Sequence, residues 1–137
     1  MSFLLDTNVV SELRKPAAHP NVASWSAQAS REKAYLSALV VGEIRSGIER
    51  LRRRGDDPQA DVIEDWLASL RKAFEGLILP VSDEVAEEWG RIDAMKSIPP
   101  IDGLMAATAI EHDLTLVTRD TAPLADTGVR LLNPWLA

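Results

Sequence analysis

Two acidic residues follow short apolar runs that have the length of buried strands. Asp6 comes directly after Phe3-Leu4-Leu5, and Asp120 follows the run Leu116 to Thr118 after one arginine. In a parallel sheet, ligands and reacting groups collect beyond the carboxyl ends of the strands. If these two strands are neighbours, both carboxylates emerge at the same edge of the sheet.

Two further acids lie in predicted helices, in surroundings where an unpaired charge is costly. Glu43 has mainly apolar and small residues at helical spacing, so it borders the buried face of its helix. Asp102 lies in the first turn of the most apolar predicted helix, between Ile101 and Gly103. Four carboxylates gathered at one edge would repel one another and take up protons unless a cation neutralised them.

Carboxylate oxygens are the ligands that Mg²⁺ and Mn²⁺ prefer in proteins. A site of this kind points to phosphodiester hydrolysis, because a bound metal ion activates water and the same ion or a second one stabilises the leaving oxygen. The chain has no cysteine. A cysteine nucleophile, a thiolate zinc site and a disulfide scaffold are therefore excluded.

Each acid also has a purely structural interpretation. Asp6 fits the N-cap of a following helix, and Asp102 in a first helical turn complements the helix dipole. Asp120 could order a turn, and Glu43 could reach solvent at the edge of its helix. The order and context of the four acids together favour a shared site more strongly than any one of them.

The elements that must position these acids alternate between short apolar runs and helical patterns, which is typical of an α/β domain with a mainly parallel sheet. We expect one domain over residues 1–137. Strands are predicted at 3–5, 34–36, 77–79, 114–118 and 129–132. Helices are predicted at 9–14, 21–29, 38–54, 59–74, 83–95 and 101–111. Glycines at 42, 47, 90 and 103 in these helices predict close helix packing, at a cost of about 1 kcal/mol each relative to alanine.

The charge balance bears on partners and location. With 15 basic and 21 acidic residues the net charge is −6, which argues against indiscriminate binding of nucleic acid. No apolar run approaches the roughly 18 residues of a membrane span, and no signal-peptide core is visible, so we expect a cytoplasmic protein.

One basic stretch opposes the net charge and consists of Arg45, Arg50, Arg52, Arg53 and Arg54. It is either an RNA contact or a solvated helix end that suits the helix dipole.

The acid-containing motifs, taken in order, resemble those of the PIN-domain family, and in particular its VapC/FitB-like toxin ribonucleases. The resemblance spans nearly the whole chain. It is carried by FLLDTNV at 3–9, LSALVVGEIRSGI at 36–48, PIDGLMAATA at 100–109, TLVTRD at 115–120 and GVRLLNPW at 128–135.

This resemblance implies a three-layer α/β/α sandwich and a Mg²⁺- or Mn²⁺-dependent endoribonuclease that acts as the toxin of a toxin–antitoxin pair. It implies a cognate antitoxin as partner, a homodimer, and contact with DNA only through the antitoxin. Carried over by position, the catalytic and metal-binding residues are Asp6, Glu43, Asp102 and Asp120. Thr7, Asn8 and Thr118 match polar positions that support the site or orient metal-bound water.

One departure from the family and two alternative functions accompany this interpretation. Many relatives have an acid followed by phenylalanine where this chain has Pro123-Leu124, which leaves Asp120 as the acid at that corner. A small aspartate-based phosphatase or phosphotransfer domain also uses strand-end aspartates, but Asn8 stands where such phosphatases need a second aspartate. A non-catalytic PIN-like interaction module is the third interpretation.

Overall fold

The short apolar runs form a five-stranded sheet in which every neighbouring pair is parallel. The computed structural model describes residues 1–136. The spatial order is β3-β2-β1-β4-β5. The strands are β1 (Ser2–Leu5), β2 (Lys33–Ser37), β3 (Ile78–Leu79), β4 (Thr115–Val117) and β5 (Arg130–Leu132).

Six α-helices flank this sheet and complete the predicted α/β/α arrangement. They are α1 (Thr7–Arg14), α2 (Pro20–Gln28), α3 (Ala38–Arg53), α4 (Asp57–Ala73), α5 (Asp83–Met95) and α6 (Pro100–Glu111). The predicted three-layer fold class is confirmed. No helix within residues 1–136 is both long enough and apolar enough to cross a bilayer.

Strand β1 lies at the centre of the sheet, and this determines where the acids meet. Leu4 pairs with Tyr35 of β2 on one side and with Leu116 of β4 on the other, and its side chain is fully buried. The backbone amide of Asp6 donates to the carbonyl of Val117 over 3.0 Å, which continues the β1–β4 pairing past the end of β1. The residues that follow β1 and β4 are therefore neighbours, as the sequence predicts.

Helix α6 is buried along most of its length, as its apolar composition predicts. Close packing explains one glycine there, because a Cβ placed on Gly103 would lie 3.1 Å from the Trp89 ring of α5. Gly42, Gly47 and Gly90 make no such contact within residues 1–136. A Cβ at any of these three would meet nothing within 4 Å, because they lie on open helix faces.

The boundaries differ from the sequence prediction where a side chain caps a helix earlier than the apolar pattern shows. Helix α1 begins at Thr7 because Asp6 is its N-cap, and α4 begins at Asp57 because Asp56 caps it. A 3₁₀ turn at Ala122–Leu124 was not predicted. It buries Leu124.

Two of the five arginines in the basic stretch hold α3 against α4. Arg45 donates from both terminal nitrogens to the carboxylate of Glu64, with Nη1 at 2.8 Å, and also lies near Glu49. Arg52 donates to Asp61 over 3.0 Å and to Glu64 over 3.4 Å. The charges of Arg45 and Arg52 are thus directed at α4.

Candidate active site

The carboxylate of Asp6 occupies the carboxyl end of β1, where it is half-buried. Its Oδ1 accepts from the backbone amide of Thr7 over 2.8 Å, and its Oδ2 accepts from the Thr118 hydroxyl over 2.7 Å. The first bond is the N-cap interaction that the structural interpretation predicted. The second connects Asp6 to the residue that directly follows β4. Asp6 therefore both caps α1 and faces the loop after β4.

Glu43 reaches the same place from α3. The Thr7 hydroxyl donates to Glu43 Oε1 over 2.6 Å. Thr7 thus connects two acids, since its amide bonds to Asp6 and its hydroxyl to Glu43. Ser37, which is buried between β2 and α3, caps α3 by accepting from the amide of Leu39 over 3.0 Å and so orients this helix at the sheet edge.

Thr118 is only 1% exposed, and its hydroxyl is the centre of the polar network. Besides donating to Asp6, it accepts from the backbone amide of Asp120 over 3.3 Å and from Asn8 Nδ2 over 3.4 Å. Asn8 Oδ1 is buried and has no hydrogen-bond donor within residues 1–136. A buried acceptor of this kind costs free energy unless a ligand or a water molecule satisfies it.

Asp102 lies in the first turn of α6, and its pKa is affected by two other acids. Burial raises the pKa of Asp102 above its ordinary value of 3.8, and the negative charges of Asp6 and Asp120 raise the pKa further. Three carboxylates from the ends of β1 and β4 and the start of α6 therefore share one negative region. Hydrogen bonds connect six of the seven predicted site residues, namely Asp6, Thr7, Asn8, Glu43, Thr118 and Asp120. Asp102 is related to them by the charges of Asp6 and Asp120 that raise its pKa.

This region suits a divalent cation that keeps much of its water. Within residues 1–136, no three Asp, Glu or His side chains converge closely enough to hold one ion among them. Mg²⁺ is commonly bound through one or two carboxylates and several water molecules. The mutual repulsion at Asp102 and the unsatisfied Oδ1 of Asn8 fit such a hydrated cation. Which of the four acids contact it directly stays a prediction.

We expect the Asp102→Asn variant to unfold at a higher temperature than the parent in EDTA near pH 7. The raised pKa of Asp102 means that ionising it costs more in the folded than in the unfolded state. This cost is absent below the ordinary pKa of 3.8 and develops as the pH rises through the raised pKa. The melting temperature should be higher for the variant near pH 7, and the difference should vanish near pH 4. A gain that is the same at both pH values would contradict this cause.

One residue that positions the site escaped the sequence analysis. Asn133 Nδ2 donates to the carbonyl of Arg119 over 3.2 Å, and the Arg119 guanidinium lies 5.2 Å from the centre of the Trp135 ring. Both contacts brace the loop that carries Asp120. The Asn-Pro pair after β5 is a turn signal, but it gives no indication of which loop the asparagine contacts.

Comparison with known proteins supports the resemblance to the PIN-domain family over nearly the whole sequence. The model of the PIN domain family matches residues 3–129. Toxin FitB of Neisseria gonorrhoeae is 37% identical over 97% of this chain and 98% of its own length. VapC ribonuclease Y4jK of Sinorhizobium fredii is 33% identical over 97% of each chain.

Solved structures agree with the sequence relatives. The crystal structure of FitAcB from Neisseria gonorrhoeae contains a chain that superposes with a TM-score of 0.88 at 36% identity, covering 98% of this chain and 99% of that one. A chain of FitAB bound to a DNA fragment gives a TM-score of 0.86 at 35% identity, covering 98% and 96%. With its parallel sheet, its strand-end acids and this similarity along nearly its full length, the chain belongs to the PIN-domain family.

Proposed function

We propose that this chain is the toxin of a toxin–antitoxin pair and acts in the cytoplasm as a Mg²⁺- or Mn²⁺-dependent endoribonuclease. One observation supports the proposal above all: Thr7 and Thr118 connect acids from the end of β1, from α3 and from the loop after β4, although these acids are far apart in the sequence. The names of the relatives support it, since one is a toxin and another a ribonuclease. Residues 1–137 constitute one catalytic domain.

In the proposed reaction each residue of the polar network has a task. Asp6, Asp102 and Asp120 supply the negative charge that attracts the cation, and Thr118 fixes the orientation of Asp6 through Oδ2. Thr7 holds Glu43 by Oε1, which leaves Glu43 Oε2 to take a proton from the attacking water. When bound, the divalent ion lowers the pKa of water and stabilises negative charge on the phosphate and the leaving oxygen. No side-chain nucleophile is needed.

The proposed partners follow the solved relatives. The chains with TM-scores of 0.88 and 0.86 come from structures of FitAcB and of FitAB bound to a DNA fragment. We propose a cognate antitoxin for this chain, a homodimeric toxin within the complex, and contact with DNA through the antitoxin only. The net charge of −6 fits the last point, because a chain of this charge attracts DNA poorly by itself.

Mapping RNA ends after brief induction tests the proposed activity and identifies the target at the same time. New RNA ends should appear at a defined set of sites when the parent is induced, together with arrest of growth. An Asp102→Ala variant expressed at the same level should produce neither. Identical RNA ends in the two cultures would show that the parent does not cleave RNA.

The same cultures and the purified protein separate the rival functions. An aspartate-based phosphatase would release inorganic phosphate from a monoester and leave RNA intact. A non-catalytic interaction module would inhibit growth equally with Asp6, Glu43 or Asp102 replaced by alanine. Arrest that depends on these acids and coincides with new RNA ends favours the nuclease alone.

The Thr118→Val variant should cleave RNA about 10- to 100-fold more slowly than the parent, which is the usual cost of removing a group that orients a metal-binding residue. Valine has a similar shape but cannot hold the carboxylate of Asp6 or accept from Asn8 and the Asp120 amide. Initial rates on RNA measure the effect. Thr127→Val is the matched control, since Thr127 is buried and donates to the Leu124 carbonyl farther along the same connection between β4 and β5, where it makes no hydrogen bond to the acids. Equal rates for the two variants would contradict the role of Thr118.

A further inference from the structure

A cavity of about 350 Å³ opens beside Glu43 and extends along one face of α3. Its wall on α3 includes Leu39, Gly42, Ser46 and Arg50, and Ile101 of α6 closes the other side. Gly42 has no side chain to fill the cavity. A Cβ placed at this residue would point into open space, since it would meet nothing within 4 Å. Glu43, whose Oε1 accepts from the Thr7 hydroxyl over 2.6 Å, belongs both to the cavity wall and to the acidic site, so the cavity lies next to that site.

Among the residues described, 1–136, Arg50 is the only basic one in the wall of this cavity. It lies about 140° around α3 from Arg45, given the helical repeat of 3.6 residues. That separation places Arg50 away from α4, whose acids engage Arg45 and Arg52. Within residues 1–136, Arg50 forms no ion pair, and it is exposed. Its guanidinium is therefore available to a ligand in the cavity, whereas the guanidinium groups of Arg45 and Arg52 are occupied.

The spacing along α3 indicates what this guanidinium would bind. Arg50 follows Glu43 by seven residues, which is about 10.5 Å along the helix axis. That distance is too long for Arg50 to hold a phosphate group that reacts at the acids. It allows Arg50 to hold another phosphate of the same strand, and arginine matches phosphate geometry with two parallel hydrogen bonds. The apolar side chains of Leu39 and Ile101 lie between the two ends and offer a surface to a base or a ribose.

We propose that an RNA strand lies along this cavity, with a phosphate next to the scissile one bound by Arg50. The proposal rests on the ribonuclease function proposed above and specifies how its substrate is held. Of the five arginines in the basic stretch, it assigns the contact to the one whose charge faces the cavity. Arg50 is thus a substrate-positioning residue, remote from the reacting atoms.

Steady-state cleavage with Mg²⁺ tests this assignment on a fluorescent single-stranded RNA oligonucleotide that contains a site found by end mapping. The Arg50→Gln variant should raise KM about tenfold and leave kcat within about twofold, since one charge-assisted phosphate contact is lost from binding. The dependence of log kcat/KM on log salt should become shallower by about 0.7, the value for one phosphate contact on a single strand. Arg50→Lys keeps the charge, so it should recover the salt dependence and part of the KM.

The matched control is Arg71→Gln, which removes an exposed arginine from the last turn of α4, outside the cavity. It should leave KM and the salt dependence unchanged. If Arg50→Gln behaves like Arg71→Gln while the parent cleaves the oligonucleotide, the cavity proposal fails and the ribonuclease function stands. A fall in kcat at constant KM for Arg50→Gln would also overturn the cavity proposal. A change in the molecular mass of Arg50→Gln in solution would overturn it as well, because it would show that Arg50 contacts protein. A parent that leaves RNA intact overturns both proposals.

Discussion

Replacing Asp6 by asparagine will reduce RNA cleavage by at least about 10³-fold, which corresponds to about 4 kcal/mol of lost transition-state stabilisation. Asparagine keeps the shape, and its Oδ1 can still accept from the Thr7 amide, but its Nδ2 cannot accept the bond that the Thr118 hydroxyl donates to Asp6. It removes the charge at the residue that connects all the others, so attraction of the divalent ion is lost without loss of the N-cap. Initial rates with Mn²⁺ at saturating RNA measure the effect.

A control for charge alone is Asp93→Asn, which neutralises an exposed acid on α5 and should keep the parent rate within about twofold. The second readout is thermal. An ion that binds only the folded chain at ten times its Kd adds about 1.4 kcal/mol of stability, so Mn²⁺ should raise the melting temperature of the parent but not of Asp6→Asn. Equal shifts in the two proteins would show that the ion binds elsewhere.

Replacing Leu4 by alanine will lower the free energy of unfolding by about 2–5 kcal/mol. Leu4 is fully buried on the central strand, between β2 and β4, where the surrounding sheet cannot collapse into the space left behind. For a domain of this size the melting temperature should fall by roughly 10 °C. Denaturant titration followed by circular dichroism gives the free energy, with an unchanged slope if only stability is affected.

The comparison variant is Val62→Ala, because Val62 lies on α4 with 53% of its surface exposed. Its free energy of unfolding should stay within about 0.5 kcal/mol of the parent. If Leu4→Ala lowers the free energy of unfolding by less than about 1 kcal/mol, the strands around β1 rearrange to fill the space, and the argument from tight packing is wrong.

The sequence predicts the elements well wherever periodicity and caps agree. Helix α3 has apolar residues three and four apart and a capping serine, Ser37, before its first residue, and its predicted range of 38–54 differs from the structure by one residue at the end. The start of α1 was predicted two residues late, because the first turn of this helix, at Thr7 and Asn8, is polar and its signal is the side chain of Asp6. The 3₁₀ turn at Ala122–Leu124 has too few residues to show any period.

The site is harder to predict from the sequence than the helices and strands are. Position after a strand identifies Asp6 and Asp120, since the rule for parallel sheets concerns the strand end itself. The bonds of Thr7 to Glu43 and of Thr118 to Asp6 join residues 36 and 112 positions apart, and no local pattern contains such pairings. The same holds for the basic stretch, where only the packing of α3 on α4 separates Arg50 from Arg45 and Arg52.

The strand order has a consequence for how such a protein is made. Strand β1 is synthesised first, yet it acquires its second neighbour only when β4 has left the ribosome, more than 100 residues later. A nascent chain that stops short of β4 lacks both Asp120 and the hydroxyl that orients Asp6. Under the proposed function, a product truncated before β4 is therefore expected to lack cleavage activity.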